Sequence, residues 1–407
     1  MKSQNKLLQQ SLERWRLPDG IEELLPADVV KIESLRRQVL DLFHSWGYET
    51  VIPPLIEYLE SLLTGTGNDL DLQTFKLTDQ LSGRMMGVRA DMTPQVARID
   101  AHRLDRERPT RLCYLGSVLQ TRPEISGATR SPIQVGAELY GHGGVESDLE
   151  VVRLMLEMLK LSGLDSVVLD LGHVGIYREL VAQAELADEQ QALLFDALQR
   201  KASAEVMEIA GSIIDDELLR GQIIALKDLN GGTEVLEEAR TLFTAAGRRE
   251  PSPAIEEALE SLRQIAECAS QQQWGVELHF DLAELRGYGY HTGIVFAAYT
   301  AGKGEAVAQG GRYDNVGAVF GRARPATGFS ADIKNLVALD GERNYPPSAI
   351  FAPHSEKSSL HNEIERLRST GERVVVELPG QSEGAVEMGC DRQLVLSGDS
   401  WSVEPVS

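Results

Sequence analysis

Residues 179–272 are rich in Ala, Leu, Glu and Gln at helical spacing, and they lie between two regions patterned for strands. The helical pattern breaks only at Gly231-Gly232 and between Pro251 and Pro253. Before the block, Ser166–Leu171 is apolar and β-branched, as a strand requires. After it, Val276–Leu282 alternates strictly between apolar and polar residues, the pattern of a half-buried antiparallel strand. Residues 290–330 hold further strand-like pieces separated by glycine. The expectation is an α+β fold: an antiparallel sheet flanked by helices and interrupted by a helical insertion at 179–272.

The flanking regions fit this scheme. Ile32, Leu35, Val39, Leu42, Phe43 and Trp46 recur at three- and four-residue steps, which predicts an amphipathic helix from Asp28, as N-cap, to Trp46. Gly47 stops it, and a short strand starts at Tyr48. Ser147-Asp-Leu-Glu150 has the form of a capping box and predicts a second helix ending before Gly163. At the far end, strands at 349–352, 373–378 and 393–397 around a helix at 357–369 predict a small α/β unit. The organisation expected is a mobile tail at 1–14, a sheet-bearing core at 15–178 and 273–340, the insertion between them, and the small unit at 341–407.

Charge narrows the partners. The chain of 407 residues carries a formal net charge of −22. Within 181–270 there are 8 basic against 18 acidic residues, and within 341–407 there are 6 against 11. Proteins grip phosphate backbones by releasing counterions from Lys and Arg, so an acid excess of this size opposes a broad nucleic-acid footprint and an anionic membrane surface. Cys113, Cys268 and Cys390 lie far apart without metal-ligand spacing. The expectation is therefore no structural metal, no disulfide framework and a cytoplasmic setting. No apolar run approaches the ~20 residues of a membrane span.

Three segments gather acids, amides, arginine and aromatics around glycine. They are Val88-Arg-Ala-Asp-Met-Thr-Pro-Gln95; Tyr114–Pro123 with Gln134-Val-Gly-Ala-Glu-Leu-Tyr-Gly141; and Leu285–Gly293 with Gln309-Gly-Gly-Arg-Tyr-Asp314 and Thr327–Asn335. Such a set suits an amino acid. Carboxylates hold an ammonium, Arg takes a carboxylate in a fork, and an acid with a phenol binds an imidazole. Taken singly, each string also fits an ordinary turn or a surface arginine.

In order and spacing, these segments resemble histidyl-tRNA synthetase, a class II aminoacyl-tRNA synthetase. The resemblance covers about 15–178 and 273–340. Gly47–Glu57 resembles the class II dimer-interface motif, and Arg286-Gly-Tyr-Gly-Tyr-His with Gly310-Gly-Arg-Tyr-Asp resembles the two histidine-specific segments. It implies that Asp91, Thr93 and Gln134 face an amino group, Glu138 an imidazole and Arg286 a carboxylate, with Tyr290 and His291 beside them. Asp91 is one methylene shorter than the usual Glu. His291 stands where Tyr is usual, and Gly289 where Asp is usual.

The nucleotide motifs depart from the synthetase pattern. Phe-Arg-x-Glu-Arg-Pro becomes Leu119-Gln-Thr-Arg-Pro123, so the phosphate-gripping arginine is Gln120. Gly-Leu-Glu-Arg becomes Asp332-Ile-Lys-Asn335, so the ATP-binding arginine is Asn335. Each cation lost where charge develops costs roughly 10²–10³ in rate. The C-terminal unit is also short for an anticodon-binding domain.

A histidine pocket without this machinery resembles a paralogous family, the regulatory subunits of ATP phosphoribosyltransferase. Trp15–Pro26 and Val88–Gln95 carry that second likeness. It implies no catalytic residue and no cofactor in this chain. It further implies a short catalytic subunit on a separate chain, a hetero-octamer built on a dimer, L-histidine as feedback effector of the first step of histidine biosynthesis, and no tRNA. An active synthetase and a stand-alone histidine-binding module are the alternatives.

Overall fold

The computed structural model describes residues 15–64, 68–123, 128–164, 166–244, 252–285, 287, 289–339 and 349–406. The expected tail at 1–14, the junction near 341 and Arg286 lie outside the described residues. Contacts divide the chain into two units, one of residues 1–25 with 32–341 and one of 26–31 with 342–407.

The larger unit is organised by a nine-stranded sheet. In chain order its strands are β1 (Glu49–Thr50), β5 (Thr110–Ser117), β6 (Ile133–Tyr140), β7 (Val168–His173), β8 (Asn230–Gly231), β9 (Glu277–Asp281), β10 (Ile294–Tyr299), β11 (Ala308–Arg312) and β12 (Ala326–Asp332). Their spatial order is β1-β5-β6-β12-β11-β10-β7-β9-β8. Strands from both sides of the helical block thus meet in one sheet, β7 pairing with β10 and β6 with β12.

The sheet is mixed rather than wholly antiparallel. The alternating strand at 276–282 is β9, and it runs parallel to β7. Alternation reports that one face is buried; it carries no information about the direction of the neighbour. At the Gly231-Gly232 break the chain forms β8, a two-residue strand that closes the sheet edge against β9. A second, three-stranded sheet lies outside the predicted elements: β2 (Ile56–Tyr58), β3 (Phe75–Thr78) and β4 (Met85–Val88), in order β2-β4-β3. Ile52, Leu55, Ile56 and Met85 are exposed on and beside it.

Helices cover one face of the large sheet. α1 (Pro26–Ser45) begins two residues before the expected Asp28 cap. Leu25 is its N-cap and makes no side-chain bond, so Pro26 with its fixed φ sets the first turn instead. It buries Ile32, Leu35, Val39 and Phe43, and Gly47 ends it at φ +83°. The capping box at Ser147 is not one. Helix α3 (Val145–Leu161) starts at Gly144, and the Ser147 hydroxyl bonds back to the Gly144 and His142 carbonyls at 2.7 and 3.1 Å. Between them lies α2 (Thr93–Arg98).

The insertion is built from α4 (Val174–Gln183), α5 (Asp188–Gln199), α6 (Ser203–Ile213), α7 (Glu217–Ala225), α8 (Glu234–Thr244) and α9 (Pro253–Gln271). Its buried residues, among them Leu194, Leu219, Ile223 and Leu262, continue the core beneath the sheet. On that face Phe280, Leu171, Phe296, Phe329, Ala137 and Cys113 form one apolar row. The opposite face carries the candidate site. α10 (Ile333–Leu339) follows β12 directly.

In the smaller unit, β13 (Ile350–Ala352), α11 (Ser358–Ser369), β14 (Val374–Val376) and β15 (Arg392–Ser397) appear where expected, and β16 (Ser400–Pro405) was not anticipated. The sheet order is β14-β13-β15-β16. Among the described residues no helix is long and apolar enough to cross a membrane.

Candidate functional site

The opposite face of the sheet, on which Met92, Val96 and Ala97 pack over Leu112, Tyr114 and Tyr140, holds the fully buried carboxyl of Glu138. Cross-strand register places Leu112 of β5, Glu138 of β6, Gly328 of β12 and Gly311 of β11 in one row. Partners in antiparallel strands share a face, so Glu138 lies over Gly328. A Cβ at Gly328 would overlap the Glu138 carboxylate, and one at Gly136 would overlap the Tyr114 hydroxyl. Glycine at these two positions hollows the floor.

Glu138 is 1% exposed. The Tyr114 hydroxyl donates to its Oε1 at 2.9 Å, and the Tyr313 hydroxyl donates to its Oε2. Tyr140 and Tyr290 complete the wall, with the Tyr290 ring 4.9 Å from that of Tyr313. Burial pushes the Glu138 carboxyl up to about 8, although the Tyr313 and Tyr114 hydroxyls favour its ionised form. Burial, with Glu138 beside them, also raises the phenols of Tyr114, Tyr313 and Tyr290. The Tyr290 hydroxyl is buried and has no hydrogen-bond partner. An unpaired buried hydroxyl is costly, and here it lies beside Tyr313 within the tyrosine cluster around Glu138.

A second cluster adjoins the first. Gln134, four residues before Glu138 on the same face, donates from Nε2 to Asp91 Oδ1 at 2.6 Å and accepts from the Met92 amide at 2.9 Å. Asp91 Oδ1 also accepts from the Thr93 amide at 3.0 Å. The Thr93 hydroxyl lies 2.9 Å from the Tyr114 hydroxyl and so ties the Asp91–Gln134 group to Glu138. Asp91, Thr93, Gln134, Glu138 and Tyr290 are therefore assembled on one face.

His291 stands at the edge of this group. Its ring is 5.5 Å from that of Tyr290 and lies against Gly311. Tyr114, Tyr140 and Tyr313 were not among the expected site residues. Their signal was available in part, since a tyrosine opposite a glycine in paired strands has room to lie across it.

The two altered motif positions behave differently. Gln120 is nearly buried, its residue bridged to Thr74 and bonded through its backbone to Arg130. Asn335 is exposed on α10. Lys334 does not stand free in the cleft, because its Nζ is bonded to Glu22 at 2.9 Å and to Ser131 at 3.2 Å. Among the described residues, no three His, Cys, Asp or Glu side chains are grouped to hold a metal ion.

Residues 20–336 match the family model described as histidyl-tRNA synthetase. Residues 347–404 match a second, described as the ATP phosphoribosyltransferase subunit HisZ C-terminal domain. An ATP phosphoribosyltransferase regulatory subunit of Nitrosococcus oceani is 56% identical over 96% of this chain and 97% of its own. One of Thioalkalivibrio sulfidiphilus is 56% identical over 96% and 98%. Among solved structures, an ATP phosphoribosyltransferase regulatory subunit/histidyl-tRNA synthetase from Bacillus halodurans superposes with a TM-score of 0.80 at 28% identity, covering 91% of this chain and 95% of that one. The match of residues 20–336 to the synthetase model, followed in sequence by that particular C-terminal match, and near-complete likeness to these relatives mean that the chain belongs to the family of ATP phosphoribosyltransferase regulatory subunits.

Proposed function

We propose that the chain carries no catalytic step itself, activates a short catalytic ATP phosphoribosyltransferase subunit and transmits feedback inhibition by L-histidine through the Glu138 pocket. The observation that carries this reading is the setting of Glu138. A buried carboxyl, ringed by tyrosines and continuous with Asp91, Thr93 and Gln134, matches the two ends of histidine. Glu138 takes the imidazole, while Asp91, Thr93 and Gln134 take the amino group. Arg286, outside the described residues, takes the carboxylate, and Tyr290 and His291 line the imidazole side. The positions that would grip ATP are filled by Gln120 and Asn335, and Lys334 is held by Glu22.

The partner is the catalytic subunit that performs the transfer between ATP and phosphoribosyl pyrophosphate. The assembly is a hetero-octamer of four and four chains, built on a dimer through the exposed apolar surface at Ile52, Leu55, Ile56 and Met85. The acid excess of the insertion and of residues 341–407 opposes a tRNA grip, and the site of action is the cytoplasm. Inhibition requires that histidine bind the inactive arrangement more tightly than the active one, by about 1–3 kcal/mol in a typical coupling.

The decisive experiment is a transferase assay of the catalytic subunit with and without this chain, under a histidine titration. Activation by the chain and loss of activity with histidine are expected. The reading fails if the catalytic subunit is equally active alone. The likeness of residues 20–336 to a synthetase favours one rival, charging of tRNA. Histidine-dependent exchange between ATP and pyrophosphate by the pure chain would establish that rival instead.

A further inference from the structure

Asp332 is the last residue of β12, and its ladder partner on β6 is Gln134. Directly opposed antiparallel residues share a face, with Cβ atoms about 4.5–5.5 Å apart. Asp332 therefore stands beside the amide that is bonded to Asp91. Its Oδ1 is fully used, accepting from the Ile133 and Lys334 amides at 3.0 Å each. Its Oδ2 is buried and has no hydrogen-bond partner. The Lys334 ammonium is bonded to Glu22 and Ser131 and acts on Asp332 only through space, without a hydrogen bond to Oδ2. No ion pair of Asp332 occurs among the described residues.

A buried carboxylate oxygen without a hydrogen-bond donor is costly, and it persists where something that is bound supplies the donor. The same sheet position in the synthetase pattern is the glycine of Gly-Leu-Glu-Arg, so the carboxylate is an addition relative to that pattern. Asp91, bonded to the Gln134 amide, is a methylene shorter than the usual Glu and reaches less far. We infer that Asp332 is a second carboxylate for the ligand's ammonium group, Asp91 and Asp332 flanking the cation across Gln134. A pocket built this way selects an α-ammonium over a neutral or absent amine. It also opposes a nucleotide phosphate in the same space, since like charges in an enclosed site repel.

This inference rests on the histidine reading and is tested on the full chain by calorimetry. L-histidine and imidazole-4-propionate, which lacks the ammonium, are titrated into the unaltered chain and Asp332→Asn. Asn keeps an oxygen for the Ile133 and Lys334 amides and removes only the charge. Losing a charge-assisted hydrogen bond predicts a fall of about tenfold or more in histidine affinity. Affinity for imidazole-4-propionate should stay within about twofold. Asp332→Ser, which caps α10 through its hydroxyl, should repeat the selective loss and guards against a folding defect in the first variant.

Unchanged histidine affinity in both variants overturns the role of Asp332 alone. Equal losses for the two ligands assign Asp332 a structural role and overturn it as well. If the unaltered chain binds no histidine, the reading beneath it falls with it.

Discussion

Replacing Glu138 by Gln should change the way stability varies with pH. Glu138 is fully buried, and burial pushes its carboxyl from an ordinary 4.5 up to about 8, against the opposing pull of Tyr313 and Tyr114. Its folded value is thus above its unfolded value. Between pH 4.5 and 8 the native chain holds a proton that the unfolded chain has released, so this group lowers stability as pH rises through that window. At about 1.4 kcal/mol per pH unit the loss is roughly 3 kcal/mol at pH 7 and levels off at roughly 5 kcal/mol above pH 8.

Glu138→Gln removes that term. It also spoils one of two tyrosine hydrogen bonds, a cost of about 1–3 kcal/mol that does not vary across this range. The diagnostic quantity is therefore the slope and not the offset. Denaturant unfolding of the ligand-free chain at pH 5 to 9 should show the variant gaining on the unaltered chain with each unit and levelling near pH 8. Parallel curves would refute the argument, since they would mean that Glu138 ionises as an exposed glutamate does. The variant should also lose histidine binding, because an amide cannot take up the charge of an imidazolium.

Other substitutions test the walls and the scaffold. Tyr290→Phe removes a hydroxyl that has no partner, so thermal stability should hold or rise slightly, while histidine affinity falls about 2–12-fold if that hydroxyl bonds the ligand. Gly328→Ala puts a methyl into the space of the Glu138 carboxylate; histidine inhibition should be abolished in the transferase assay while the chain still assembles with its partner. Asp100→Ala leaves Arg324, paired with it at 2.8 Å and 7% exposed, as a buried cation without its carboxylate. Urea unfolding should show a loss of about 3–5 kcal/mol.

Much of the fold was legible because it depends on local periodicity. Ile32, Leu35, Val39 and Phe43 mark a helix stripe, and the α/β order of the C-terminal unit follows from short apolar runs between turn signals. The errors lie where a distant neighbour decides. Asp28 is not the cap because Pro26 starts the helix earlier, and Ser147 turns inward to its own helix start, where it also meets Arg312 at 2.9 Å. The direction of β9 depends on β7, more than a hundred residues away. The three-stranded sheet at 56–88 was missed because its strands are three or four residues long, too short for a period to show.

The site divides along the same line. The resemblance to histidyl-tRNA synthetase, carried by the motif residues, singled out Asp91, Thr93, Gln134 and Glu138 and marked Gln120 and Asn335 as altered positions. Those are matters of chemistry carried by each side chain, and sequence alone determines them. It also determined the acid excess that argues against tRNA. Only tertiary structure decided that Glu138 is sealed under Tyr114 and Tyr313, that Gly328 makes the space for it, and that Asp332 shares a face with Gln134. The physical reason is that cross-strand register and burial belong to pairs of residues far apart in the chain. Burial, not composition, raises the Glu138 carboxyl, and pairing, not proximity in sequence, leaves one Asp332 oxygen with no donor of its own.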